Sequence, residues 1–307
     1  MIIGLKDNWK DAQTPHTAYL ENIINDFKNR RVTLAPALID KFVADVERWV
    51  ISDRRDDLER AADHLDNVLE TLSDADQEQL LAELGELFNY TYFTQKKKTI
   101  WNAYNLCALS KFRVCPYCHH SYAFTLHRDK MGLLRPTLDH YYAKSDYPHL
   151  ALTLTNLIPS CYTCNSTLKG SINFRTKKHL HPLFDDEDVS FRCSAAGGTI
   201  VKTVSFLDSQ RSSLTLSVKA TSAAAINSMD TFALRERYEL LEKEGIDFAI
   251  AQLQTRELIE NLSVTNGTAV KLDPRILKAR LLRFVPEDYR EYLLGKLYLD
   301  LDNQFRR

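Results

Sequence analysis

The chain of 307 residues contains no stretch of about twenty uninterrupted apolar residues, so no ordinary membrane-spanning helix is expected. Its first residues, MIIGLKDNWKDAQ, lack the apolar core and small-residue cleavage site of a secretory leader, and the expectation is a cytoplasmic protein. Glycine and proline are scarce, at nine each, which excludes collagen-like and linker-dominated architectures. No G-x-x-x-x-G-K-[ST] phosphate loop occurs, so any ATP-dependent sensing must come from another protein. A charge surplus is lacking too: 40 Lys and Arg stand against 41 Asp and Glu, which argues against a surface that binds polyanions everywhere.

What is there is an ordinary globular composition, 44% hydrophobic and 26% charged, in a chain long enough for two or three domains. The charge is unevenly spread. Residues 1–100 carry 13 basic and 19 acidic side chains, residues 111–180 carry 10 and 3, and residues 181–307 carry 17 and 19. The middle segment therefore suits a polyanion, whereas the flanks suit water or another protein.

Apolar residues at three- and four-residue intervals predict amphipathic helices in the first 95 residues. One stripe is Leu38, Ile39, Phe42, Val43, Val46, Trp49 and Val50; a second is Ala61, Ala62, Leu65, Val68, Leu69 and Leu72. A third, Leu80, Leu81, Leu84, Leu87 and Phe88, follows a cap at Ser73–Asp74. Alternating β-branched residues over 197–222 predict a hairpin around a turn at 208–213. Helical spacing then returns over 223–244, 246–262 and 274–284, with a last helix starting at Pro286. The expected fold is mostly α with a small α+β element: a helical region at 1–95, a chemistry-bearing unit at 96–190, and a hairpin followed by helices at 191–307.

Six cysteines occur, and four of them form two C-x-x-C pairs, Cys115/Cys118 and Cys161/Cys164, separated by 42 residues. In a reducing compartment that arrangement favours metal over disulfide. Four thiolates can surround one Zn²⁺ tetrahedrally at about 2.3 Å, each pair supplying two corners. His119 and His120, directly after Cys118, are alternative ligands, and Cys107 and Cys193 read as core residues.

Between the cysteine pairs stand Asp139-His140, and then Asn156 sixteen residues after that His; the second pair runs on into Asn165 and Lys169-Gly170. Over roughly residues 110–185 the sequence resembles the HNH endonucleases, the ββα-metal group, in the variety braced by a four-cysteine zinc. The resemblance implies a single-metal phosphodiester hydrolase, with Asn156 holding the loop that orients the general base. The wider layout, helices before and after C-P-Y-C … D-H-Y … C-x-x-C-N-S, is similar to the nuclease subunit of Septu-type and retron-associated anti-phage systems.

The residues themselves can be read for chemistry. Asp139 offers a carboxylate oxygen and Asn165 an amide oxygen, hard donors that suit Mg²⁺ or Mn²⁺ and leave positions for water and phosphate. His140, with an unperturbed pKa near 6.5, can take a proton from the attacking water; His149 and His181 are the next candidates. Lys169 and Lys144 are expected at phosphates, and Tyr141, Tyr142 and Tyr147 in the core. The expected substrate is DNA, with RNA an alternative because the mechanism attacks a phosphate. A rival of another class is a zinc-dependent nucleic-acid-binding scaffold with a silent site. The acidic helical flanks are expected to dock on a larger, ATPase-type subunit.

Overall fold

Each apolar stripe of the first ninety residues becomes the buried face of a helix. In the computed structural model, which describes residues 2–30, 37–96, 100–129, 131–195, 214–265 and 274–305, Ile39, Phe42, Val43, Val46 and Val50 line the inner side of α2 (Leu38–Val50). Leu58, Ala61, Ala62 and Leu65 do the same for α3 (Arg55–Glu70). The expected cap is present at α4 (Asp74–Leu87), where the Ser73 hydroxyl accepts from the Asp76 amide at 3.3 Å. A preceding helix, α1 (Gln13–Arg30), was not visible in the pattern, because its buried face is thin: His16, Leu20 and Ile24. Two short helices follow, α5 (Tyr90–Phe93) and α6 (Ala103–Ala108), capped by Asn89 and Asn102.

Three two-stranded antiparallel sheets complete the described β-structure. A ribbon pairs β1 (Leu126–Arg128) with β2 (Met131–Leu134). Next, β3 (Thr137–His140) pairs with β4 (Leu157–Ser160) in the register Thr137↔Ser160 to His140↔Leu157. The chain then enters α7 (Thr163–Lys169), wound as a π-helix, and stops where Gly170 adopts a left-handed φ of 50° that few other residues accept. The third sheet joins β5 (Val189–Ala195) to β6 (Leu214–Ala220). Thus the second strand of the expected hairpin is β6; residues 197–207, expected as its first strand, lie outside the described residues.

The carboxy-terminal helices are α8 (Ala223–Thr231), α9 (Leu234–Glu239), α10 (Glu242–Thr265), α11 (Pro274–Leu282) and α12 (Gly295–Phe305). Two departures from the periodicity have local causes. The helix expected over 223–244 breaks where Ala233 takes a left-handed φ of 46°, so α8 and α9 are separate. The last helix starts nine residues after Pro286 because Pro286–Glu291 forms a 3₁₀ turn, and Leu294 is left-handed with its amide on the His119 carbonyl at 2.8 Å. Gly295 fits this turn only for want of a side chain: a Cβ there would lie 2.1 Å from the Tyr289 carbonyl oxygen.

The chain divides into two compact units, one of Met1–Gly4, Pro116–Ser121 and Asp186–Arg307, the other of Leu5–Cys115 and Tyr122–Asp185. Within the first, Tyr117 stacks on Phe232 with centroids 4.2 Å apart, and the Tyr238 hydroxyl donates to the Cys118 carbonyl at 2.8 Å. Within the second, the 170–185 segment is tied to α3. Arg175 pairs with Asp63 and, at 3.1 Å, with Asp66, while Arg55 pairs with Asp185. Cys107 and Cys193 are buried, as expected of core residues, and burial pushes their thiols up to about 12 and about 11. No helix among the described residues is long and apolar enough to cross a membrane.

Candidate metal centre and buried Asp–His site

Cys115, Cys118, Cys161 and Cys164 come together, with all four sulfurs within 4.8 Å of one another. Tetrahedral Zn²⁺ with bonds of about 2.3 Å needs sulfurs about 3.8 Å apart, so the four thiols fit one zinc ion. Three of the four are buried, none of the six cysteines is in a disulfide, and the Cys164 amide donates to the Cys161 sulfur at 3.5 Å. Neither His119 nor His120 belongs to the cluster; His119 instead accepts from the Lys296 amide at 3.3 Å. The cluster could hold a structural metal such as zinc.

Asp139 and His140 stand at the end of β3, paired with Ile158 and Leu157 of β4. Period-two alternation sends their side chains to opposite faces, and both are buried. The His140 ring donates from Nε2 to the Ala151 carbonyl at 3.0 Å, because a carbonyl can only accept. That fixes the neutral tautomer and leaves Nδ1 as the proton acceptor. Tyr90 packs edge-on against the ring with centroids 4.4 Å apart. Burial lowers the His140 pKa from 6.5 to about 4, so the imidazole is neutral across the physiological range, further from titration than an unperturbed histidine.

Asn156 is completely buried and holds the loop between the two strands. Its carbonyl oxygen accepts from the Tyr142 amide at 2.7 Å, and its amide donates to the Tyr142 and Leu150 carbonyls, each at 3.0 Å. A row of three consecutive carbonyls results: Leu150 takes Asn156, Ala151 takes His140, and Leu152 takes His16 Nε2 at 2.7 Å. His16 in turn accepts at Nδ1 from the Trp101 indole at 3.0 Å. Neither Ala151, which acts through its backbone, nor His16 and Tyr90, 124 and 50 positions before His140, carries a sequence signal that points to the site.

Lys169 is not at the surface. Its ammonium lies 2.6 Å from Asp139 Oδ1, contacts the His140 carbonyl, and sits 4.6 Å above the Phe174 ring centre, with the lysine 4% and the aspartate 2% exposed. A carboxylate offers about four acceptor sites, so an ammonium and a divalent ion can share it. Asn165, on α7, is half-buried, and Lys144 is exposed in the loop after β3. The donor set, carboxylate and amide oxygens, fits Mg²⁺ or Mn²⁺ in kind.

The other two candidate histidines, His149 and His181, are buried. His149 donates to the Ala61 carbonyl at 3.0 Å, and its pKa falls to about 3 through burial. His181 packs on Tyr141 with centroids 4.0 Å apart. Tyr141, Tyr142 and Tyr147 are buried, as core packing predicts. The chain matches no protein-family model, no curated protein and no solved structure.

Proposed function

We propose that the chain is a zinc-braced HNH endonuclease that hydrolyses phosphodiester bonds of DNA with one divalent ion. The observation that carries this reading is the Asn156 clamp: an Asp-His pair at a strand end, a loop pinned by one buried asparagine, and the loop's carbonyl fixing the histidine's tautomer. Such an arrangement delivers a neutral imidazole with one nitrogen aimed away from its anchor, as a general base requires.

Mg²⁺ or Mn²⁺ would be held by Asp139 and Asn165, and when bound it would stabilise charge on the phosphate and the leaving oxygen. His140 Nδ1 takes the proton of the attacking water, and the Ala151 carbonyl keeps the ring from turning. Asn156 acts through that loop. Lys169, seated on Asp139, neutralises the carboxylate, and Lys144, exposed in the loop after β3, is free to meet a phosphate. Plasmid, linear DNA and RNA incubated with Mg²⁺ or Mn²⁺ test the proposal. His140→Ala is expected to lose about 10²–10⁴-fold in rate, and Asn156→Ala to lose rate more than divalent-ion affinity. Equal cleavage by wild type and His140→Ala would end it.

The buried Lys169–Asp139 pair favours a second reading, a nucleic-acid-binding scaffold whose site is silent. Salt-sensitive DNA binding with no metal-dependent cleavage would identify it.

We further propose that the enzyme serves as effector in an anti-phage system, its acidic helical flanks docking on an ATPase-type subunit. Size-exclusion chromatography of this chain co-expressed with the neighbouring gene product is expected to give one complex. Separate elution, with the isolated chain fully active, would refute the docking.

A further inference from the structure

The β1–β2 ribbon has an unusual setting. From Lys96 to Arg135 the sequence holds eight basic residues and one acidic. The ribbon itself stands out into solvent, with Leu126, Leu133 and Leu134 each 42–45% exposed and all three residues of β1 exposed. The register pairs His127 with Gly132 on one face and sends Arg128 to the other, with Leu133 left over as the extra residue of a bulge. The first face is the one that rests on the body: a Cβ at Gly132 would lie 2.1 Å from the Tyr104 ring, and His127 meets that ring edge-on. Lys96 and Arg135 flank the same tyrosine, at 5.3 and 5.5 Å from its centre.

Among the described residues, none of Lys96, Arg128 and Arg135 has an acidic partner within ion-pair distance, in contrast with Arg55, Arg175 and Arg290, which all do. The ribbon therefore combines exposed apolar side chains with Arg128 on its outer face and with Lys96 and Arg135 beside Tyr104 at its base, three cations without an acidic partner among the described residues.

Its position along the chain gives that face a use. Only Arg135 and Pro136 separate β2 from β3, so the ribbon runs directly into the strand that ends on Asp139 and His140. From Leu134 to Asp139 is at most about 17 Å of extended chain, less than one turn of a DNA duplex. Arg135 also lies against the Tyr90 hydroxyl, and Tyr90 packs on His140.

We infer that the β1–β2 ribbon, with Lys96, Arg128 and Arg135, is the surface on which duplex DNA lies. A two-stranded ribbon is among the shapes the major groove admits; exposed Lys96 and Arg128 meet the phosphates on either side of it, while Arg135, held between Tyr104 and Tyr90, adds its charge from behind. The inference rests on the nuclease reading for the substrate it names, but binding and cleavage are measured separately.

The test uses the full chain carrying His140→Ala and a fluorescent 30-base-pair duplex, with anisotropy read over a series of salt concentrations. Lys96→Glu/Arg128→Glu is expected to weaken binding more than tenfold and to lower the slope of log affinity against log salt by about one per lost contact. Lys41→Glu, an exposed position on α2, is expected to change neither, and thermal melting of all variants should coincide. Unchanged duplex affinity in the double variant overturns the inference and leaves the nuclease reading intact. Tighter binding of single-stranded RNA than of duplex overturns it too, as does failure of the parent protein to bind duplex at all. Loss of metal-dependent cleavage by wild type, with ribbon-dependent binding retained, would instead fault the nuclease reading alone.

Discussion

Replacing Cys115 or Cys164 by serine is expected to remove one zinc per chain and to unfold the segment around the cysteine cluster. The four sulfurs already lie within 4.8 Å of one another, three of them in buried residues. Four thiols at such distances, without metal or disulfide, would be a costly way to fill a core, since neutral thiols contribute little attraction and thiolates repel. Zinc reverses the balance: structural sites of this kind bind with about 10–16 kcal/mol, and that energy is folding energy because no site exists in the unfolded chain. That is as large as the total stability of about 5–15 kcal/mol usual for a domain. Metal analysis by plasma emission, with melting in the presence and absence of a chelator, measures it. Full zinc content and an unchanged melting temperature in both serine variants would show that the cysteines are plain core residues.

Acid is expected to unfold the unit that carries the Asp–His site well before it titrates that site in the folded state. His16, His140 and His149 are buried, and burial lowers their pKa values from 6.5 to about 4, about 4 and about 3. A depressed histidine pKa means that the unfolded chain binds protons the native state refuses. Stability is therefore whole above about pH 6.5 and falls as the pH drops through the window between the unfolded and folded values. Burial lowers His179 and His181 of the same unit as well; each group contributes a slope of about 1.4 kcal/mol per pH unit in that window, and the five together give about 7. His16 shows why the native state refuses: a proton added at Nδ1 would point at the Trp101 indole N–H, which now donates to it at 3.0 Å. Urea midpoints from pH 7.5 to 4.5 measure the slope, and His149→Gln, whose amide can still reach the Ala61 carbonyl, should flatten it by about a fifth. A midpoint constant from pH 7 to pH 5 would contradict the argument. On the nuclease proposal, cleavage should accordingly end where the fold does, not at pH 6 as an unperturbed histidine would suggest.

How much of this was legible in the sequence depends on how far each feature reaches. Periodicity over one or two helical turns located α2, α3 and α4, because their apolar faces are wide. It missed α1, whose buried face contains a histidine, and it ran α8 and α9 together, because nothing in the composition around Ala233 marks a left-handed residue. At the site, the two C-x-x-C pairs and the order Asp139-His140, Asn156, Asn165 were readable as ligand types at set spacings. Lys169 was expected at a phosphate and is found in a buried ion pair with Asp139, since a lysine on a short helix can turn inward as easily as outward. The partners that orient His140 were invisible for a plainer reason. One is a backbone carbonyl, which has no letter of its own, and the other is an aromatic ring fifty positions away.

The row of carbonyls at Leu150, Ala151 and Leu152 bears on where this protein can be cut. One carbonyl is claimed by the asparagine of the motif, the next by its histidine, and the third by a histidine from the first helix, itself held by Trp101. The stretch that resembles a nuclease is thus not a cassette. A fragment begun near residue 96 keeps every residue of the motif yet loses the Tyr90 ring and the third anchor of the loop, so it would carry the right letters around a floppy imidazole. Transplanting this arrangement of side chains into another scaffold means carrying the amino-terminal helices with it.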